Sequence, residues 1–111
     1  ADRLMEDQRP WSDPDLDVGR FAGLLDTYPN AVSRALNRAA NTTFYDYVNS
    51  YRIREARRLL SDPGERNLKI EALCRLAGFR ARSTFFKLFR QHTGQTPSEY
   101  RAALSGQVPP A

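Results

Sequence analysis

Residues 70–94 read IEALCRLAGFRARSTFFKLFRQHTG, and this stretch decides the fold. Apolar residues recur at helical spacing on both sides of Gly78, and glycine is the residue that enters a left-handed turn without steric cost. The stretch therefore predicts two helices, at about 69–77 and 82–92, joined by a turn of three or four residues. Such a pair is a helix-turn-helix unit.

The second predicted helix has two faces of different character. Spacings of three and four residues predict a buried face made of Phe85, Leu88, Phe89 and His92. The opposite face carries Ser83, Phe86, Lys87 and Arg90. Residues 78–92 contain four bases and no acid, so we expect a partner to supply the missing anions. A DNA major groove is wide enough to admit one such helix.

A looser helix-turn-helix unit is predicted upstream, with helices at about 16–25 and 29–40. The inner stripe of its second helix would be Val32, Ala35, Leu36 and Ala39. The outward positions are Asn30, Ser33, Arg34 and Asn37. Arginine pairs with guanine and asparagine with adenine, although any solvated helix face exposes the same residue types.

The remaining pattern completes an all-α prediction of about seven helices, with the others at about 2–9, 43–61 and 97–104. Segment 43–61, about 28 Å long as a helix, would connect the two units. That length suits recognition helices about 34 Å apart, which is one turn of DNA. We predict an acidic arm or linker at 1–15, helix-turn-helix subdomains at 16–42 and 62–104 joined by helix 43–61, and a disordered tail at 105–111.

Charge is distributed unevenly along the 111 residues, whose formal net charge is +4. Residues 1–17 contain six acids and two arginines, whereas the rest contains fifteen bases and seven acids. The predicted folded part is therefore distinctly basic, which favours nucleic acid or another anionic surface as its partner.

The sequence predicts neither an enzyme nor a metal or cofactor site. His92 is the only histidine, and its place at a helix end favours a structural role over catalysis. Cys74 is the only cysteine, which excludes an internal disulfide and fits a reducing compartment. There is also no glycine-rich phosphate loop, membrane span or signal peptide pattern. We expect a cytoplasmic, nucleoid-associated protein.

The segment TGQTPSEYR at 93–101 predicts one helix end and the next helix start. Gly94 would end the recognition helix in a left-handed conformation. Thr96 would cap the closing helix, Pro97 would occupy its first turn, and Glu99 would complete a capping box. We therefore interpret these residues as structural.

Three segments together resemble the DNA-binding domain of AraC/XylS-type bacterial transcription regulators: YVNSYRIREARRLL, residues 70–94 and TGQTPSEYR. The resemblance covers about 16–104 and implies sequence-specific binding of double-stranded DNA, with two recognition helices in successive major grooves. Carried over by position, the base-reading residues would be Asn30, Ser33, Arg34, Arg82, Ser83, Phe86 and Lys87. Phosphate contacts would come from Arg38, Arg57, Arg58, Arg80 and Arg90, although a solvated face explains the arginines of the connector equally well.

Four positions depart from the family pattern. Asp26 and Asn41 stand where glycine is common, and both residue types tolerate left-handed backbone better than most. Tyr28 and Ala81 stand where a polar cap is usual, and loss of a cap costs about 1 kcal/mol. We expect the fold to survive all four changes.

The resemblance also bears on partners. We expect double-stranded DNA, RNA polymerase and a sensor or effector domain outside this chain; whether the intact protein dimerises through that domain stays open. Residues 4–25 resemble the lead-in of regulators whose sensor half joins a membrane segment, so membrane anchoring of the full-length protein stays open beside the linker interpretation. The alternative function is a degenerate helix-turn-helix module that binds another protein; RNA fits less well because its major groove is narrow.

Overall fold

The computed structural model describes residues 2–65 and 67–104, and the tail predicted at 105–111 lies outside them. The described part is all-helical and contains no strand, which confirms the predicted fold class. Its α-helices are α1 Asp2–Asp7, α2 Val18–Leu24, α3 Pro29–Ala40, α4 Phe44–Ser61, α5 Ile70–Leu76, α6 Arg82–Thr93 and α7 Pro97–Leu104, with 3-10 turns at Pro10–Ser12 and Pro63–Glu65.

Local chemistry explains where the helices begin and end. Helix α1 stops two residues before its predicted end, because Arg9 has left-handed backbone with φ 52° and is followed by Pro10. Helix α2 starts two residues later than predicted, because Asp17 caps it and accepts the Arg20 N–H at 2.8 Å. Helix α7 begins at the predicted capping box. Thr96 N–H donates to Glu99 at 2.9 Å and Glu99 N–H to Thr96 Oγ1 at 3.2 Å.

The chain divides into two compact units, Ala1–Tyr51 and Arg52–Ala111, with the boundary inside α4. The first half of α4 contributes Phe44, Val48 and Tyr51 to the core of the first unit. Its second half contributes Ile53, Ala56, Leu59 and Leu60 to the core of the second unit. Helix α4 therefore contributes apolar residues to two separate cores.

The N-terminal segment is packed into the first unit. Met5 is fully buried, and the Trp11 indole N–H donates to the Met5 carbonyl oxygen at 2.9 Å. The Asp2 carboxylate accepts hydrogen bonds from the Tyr47 and Tyr51 hydroxyls at 2.6 and 2.8 Å. Burial and the bond to Asp2 raise the pKa of the Tyr47 hydroxyl above its ordinary value.

Both helix-turn-helix turns share one hydrogen-bond pattern. In the second unit Gly78 has φ 95°, and the next N–H, that of Phe79, donates to the Cys74 carbonyl at 3.0 Å. In the first unit Asp26 has φ 55°, and the next N–H, that of Thr27, donates to the Ala22 carbonyl at 2.9 Å. Each of these hydrogen bonds is of the kind found where a helix ends at a residue with left-handed backbone. Asp26 therefore takes the place of glycine, as predicted.

A row of aromatic rings holds α6 in the second unit. The ring centroid of Phe85 lies 5.1 Å from Phe79 and 5.7 Å from Phe89, and Phe89 lies 5.3 Å from Tyr100 on α7. Phe85 and Phe89 are fully buried. Contacts of this kind add to the free energy of burial and fix the rotation of α6 about its own axis.

Three residues predicted to be buried are exposed: Ala35, Ala39 and His92. On α3 the buried stripe is narrower than predicted, because only Val32 and Leu36 reach the core. His92 is in the last turn of α6, beyond the contact between Phe89 and Tyr100, where no described helix covers it. Helical periodicity gives the direction of a side chain but not whether another element lies there.

Substitution of Asp26 by glycine is expected to stabilise the first unit. Left-handed backbone costs a residue with a Cβ about 1–2 kcal/mol, and glycine avoids this cost. Because an unfolded glycine has more conformational entropy, part of the benefit is lost, and we expect the free energy of unfolding to rise by about 0.5–1 kcal/mol. Urea unfolding followed by the fluorescence of the buried Trp11 would measure it. Asp26→Val, with a β-branched side chain, should lower stability, and equal stability of both variants would contradict the assignment.

Substitution of Ala81 by serine is expected to stabilise α6. Ala81 is the N-cap residue, its backbone is extended and, as predicted, it provides no side-chain hydrogen bond. A serine hydroxyl would accept one of the free N–H groups and add about 1 kcal/mol. Urea unfolding followed by circular dichroism would measure this. The matched control, Ala35→Ser in the middle of α3, should be neutral or slightly destabilising.

Candidate nucleic-acid interface

The outward face of α6 is polar and basic. Arg82, Ser83, Lys87 and Arg90 are exposed, and Phe86 is half-buried. The side chains of Ser83 and Lys87 make no hydrogen bond or ion pair with any described residue. They are available to a ligand, on a helix that the aromatic row keeps in one orientation.

Arg82 is held in two ways. Its Nη1 donates to Glu71 Oε1 at 3.0 Å, and its guanidinium carbon lies 4.9 Å from the centre of the Phe86 ring. Glu71 is on α5, eleven residues earlier in the chain. The prediction that the bases of residues 78–92 lack an acidic partner is therefore wrong for Arg82. Sequence reasoning missed Glu71 because it considered charges within one helix and not across the turn.

The outward face of α3 is also exposed, and the structure places the predicted readers Asn30, Ser33 and Arg34 together on it. Arg38, predicted to contact phosphate, lies one turn beyond Arg34 and is exposed as well. The side chains of these four residues form no hydrogen bond or ion pair with the part of the chain that the structure describes. Tyr28, the N-cap residue of α3, provides no side-chain hydrogen bond to the helix.

The predicted phosphate residues of α4 have protein partners. Arg58 donates two hydrogen bonds to the Glu55 carboxylate, from Nε to Oε1 at 2.6 Å and from Nη2 to Oε2 at 3.0 Å. Glu55 is buried, and its hydrogen bonds with Arg58 raise the pKa of the Arg58 guanidinium above its ordinary value. Arg57 Nε donates to the Tyr100 hydroxyl at 3.3 Å. Arg80 and Arg90 are exposed. Arg58 is therefore already paired within its own helix, whatever its role toward a ligand.

The described residues offer no metal-binding cluster. No group of three or more histidine, cysteine or acidic side chains in residues 2–65 and 67–104 could hold a metal ion. Cys74 is 3% exposed, and burial raises the pKa of its thiol, which keeps it protonated and unreactive as predicted. Among the helices that the structure describes, none is long and apolar enough to cross a membrane.

The first unit also carries an open groove of about 500 Å³ between its N-terminal segment and α2. Its walls include Pro10, Leu16 and Leu24, and half of the Leu24 surface is exposed. Most of the groove surface is apolar, so it does not suit a phosphate backbone.

Comparison with known proteins gives consistent results. A family model described as a helix-turn-helix domain matches residues 21–103. The transcriptional regulator YijO of Escherichia coli strain K12, itself uncharacterized, is 31% identical over 80 residues, which is 72% of this chain and 27% of that protein. The uncharacterized HTH-type regulator YisR of Bacillus subtilis strain 168 is 33% identical over 84 residues, which is 76% of this chain and 28% of that protein.

The chain thus spans about a quarter of the length of these curated relatives. Among solved structures, the C-terminal domain of AraT, a response regulator from Geobacillus stearothermophilus, matches with a TM-score of 0.74 and 25% identity. That match covers 86% of this chain and 77% of the other. As its closing motif and its two turns indicate, this chain belongs to the AraC/XylS family of helix-turn-helix transcription regulators and is not an enzyme.

Proposed function

We propose that this chain binds double-stranded DNA sequence-specifically, as the DNA-binding part of a longer transcription regulator. One observation carries the proposal: each unit contains a turn of the same geometry, followed by a helix whose exposed face offers polar and basic side chains. Within this proposal 16–42 and 62–104 are the helix-turn-helix subdomains and 43–61 is their connecting helix. The regions that extend the relatives beyond the match would supply the sensing of a signal and any dimerisation.

Helices α3 and α6 would lie in successive major grooves. We assign base reading to Asn30, Ser33 and Arg34 on α3, and on α6 to Arg82, Ser83, Phe86 and Lys87. Arginine and lysine suit the acceptor edge of guanine, asparagine suits adenine, and an aromatic ring can contact the methyl group of thymine. Arg38, Arg80 and Arg90 would contact phosphates, which position the protein without reading sequence. Arg57 and Arg58 would join them only through the donors that their protein partners leave free.

Selection of bound duplexes from a random pool of about two helical turns tests the proposal, at two salt concentrations. A motif with two blocks one turn apart supports reading by both helices. A single block would mean that only one helix reads bases. No enrichment at either salt concentration would contradict sequence-specific binding.

Substitution of a base-reading residue should change sequence preference, whereas substitution of a phosphate-contacting residue should change affinity for all sequences. We expect Arg34→Ala and Lys87→Ala to relax the preference at one position each, by about 1–3 kcal/mol. Arg38→Ala should weaken binding to all sequences alike and reduce the salt dependence by about one counterion. Affinities for the selected duplex and its single-base variants would measure both. A uniform loss from Arg34→Ala would contradict its assignment.

Arg58 makes a poor phosphate test despite its predicted role. Its removal would take two hydrogen bonds away from the buried Glu55 carboxylate, and this loss lowers the stability of the second unit. Any loss of DNA binding by Arg58→Ala would mix both effects. Arg38, which has no described partner, avoids this problem.

The alternative function, binding of another protein, has one supporting observation in the apolar groove beside the exposed Leu24. An apolar interface responds little to salt, whereas binding to phosphates weakens steeply as salt rises. If the chain selects no DNA sequence and its association with a partner is insensitive to salt, this alternative is favoured. Substitution Leu24→Ser should then weaken that association.

A further inference from the structure

We propose that Glu71, which lies outside the recognition helix, is a positioning residue for DNA reading because it holds the Arg82 guanidinium in one orientation before DNA binds. The proposal rests on the function proposed above and deepens it. It adds Glu71, which the sequence did not suggest, to the residues that determine DNA specificity. Glu71 itself would touch no base.

The geometry restrains Arg82 on one edge and one face. Glu71 Oε1 accepts from Nη1 at 3.0 Å, and Phe86 lies under the guanidinium at 4.9 Å. Phe86 is itself fixed by the core, since its ring centroid lies 5.7 Å from that of the fully buried Phe85. A guanidinium has five donors in a rigid plane. With one donor engaged by Glu71, the others remain for the acceptor edge of a guanine.

The pair does little for folding, so its effect should appear in binding. The side chains of Arg82 and Glu71 are 60% and 67% exposed, and exposed ion pairs add little or nothing measurable to stability. A free arginine, however, has many rotamers, and fixing it in a complex costs free energy. An arginine that is already held loses less entropy when it meets its base. Glu71 would thereby increase the discrimination that Arg82 achieves.

Glu71 also has an opposite effect on general affinity. A carboxylate close to the DNA repels phosphates, so its removal should strengthen binding to every sequence. The proposal therefore predicts two changes of opposite direction for Glu71→Ala: weaker discrimination at one base pair and tighter non-specific binding. Loss of structure would weaken discrimination and non-specific binding alike. Loss of a mere surface charge would change only non-specific binding.

A double-mutant cycle tests this proposal with the selected duplex and a set of single-base variants. Arg82→Ala first identifies the base pair that Arg82 reads. Immobilising one side chain corresponds to roughly a two- to twelvefold change in affinity, so Glu71→Ala should lower discrimination at that pair by this factor. In the Arg82→Ala background, Glu71→Ala should have no further effect on discrimination. Circular dichroism would verify that each variant folds.

Asp46→Ala is the matched control, because Asp46 is also an exposed acid in the first turn of a helix and contacts no described arginine. It should leave discrimination at that base pair unchanged. In the free protein, NMR relaxation of the Arg82 Nε–H group should show greater mobility in Glu71→Ala than in the unmodified chain.

Three outcomes would overturn the proposal. The first is equal mobility of Arg82 in the Glu71→Ala variant and the unmodified chain. The second is unchanged base-pair discrimination in Glu71→Ala. The third is a loss of discrimination from Glu71→Ala that persists in the Arg82→Ala background. Each of these leaves the proposed function intact if the chain still selects a sequence. Failure to select any sequence would overturn the proposed function, and this inference with it.

Discussion

One left-handed residue in each turn is the constraint on which both units depend. At Gly78 and Asp26 the chain leaves a helix with positive φ, and the next N–H returns to a carbonyl five residues back. This bond fixes the direction in which the chain enters the following helix. The faces that α3 and α6 present to solvent follow from that direction and from the apolar residues that each helix buries. Within each unit, a turn of different geometry would change the direction in which the following helix presents its polar side chains.

The sequence predicted best what short-range chemistry determines. Seven helices, the capping box of Thr96 and Glu99 and the left-handed Asp26 all follow from residues within about five positions of one another. Burial at the edges of the core was predicted less well, because Ala35 and His92 lie on apolar faces that no described element covers. Periodicity contains no information about where the neighbouring element stops.

Contacts between distant residues were the least predictable part. The pair of Glu71 and Arg82 bridges two helices across a turn, and composition gives no sign of it. The bonds from Tyr47 and Tyr51 to Asp2 join residues more than forty positions apart. The acidity of the first residues indicated an arm or linker, but not that one of its carboxylates would accept hydrogen bonds from two hydroxyls. The exposure of the candidate readers was predictable from the spacing of the apolar residues along each helix, whereas the partner of Arg82 lies on another helix across the turn.

The buried Cys74 makes the second turn chemically observable. Its carbonyl closes the turn at Phe79, and its thiol is shielded by the same core. A thiol reagent can reach it only when this region opens, so the rate of alkylation reports the opening free energy of one unit. The single tryptophan, Trp11, lies in the other core and reports on that unit by fluorescence. The chain thus contains a separate intrinsic probe for each of its two units.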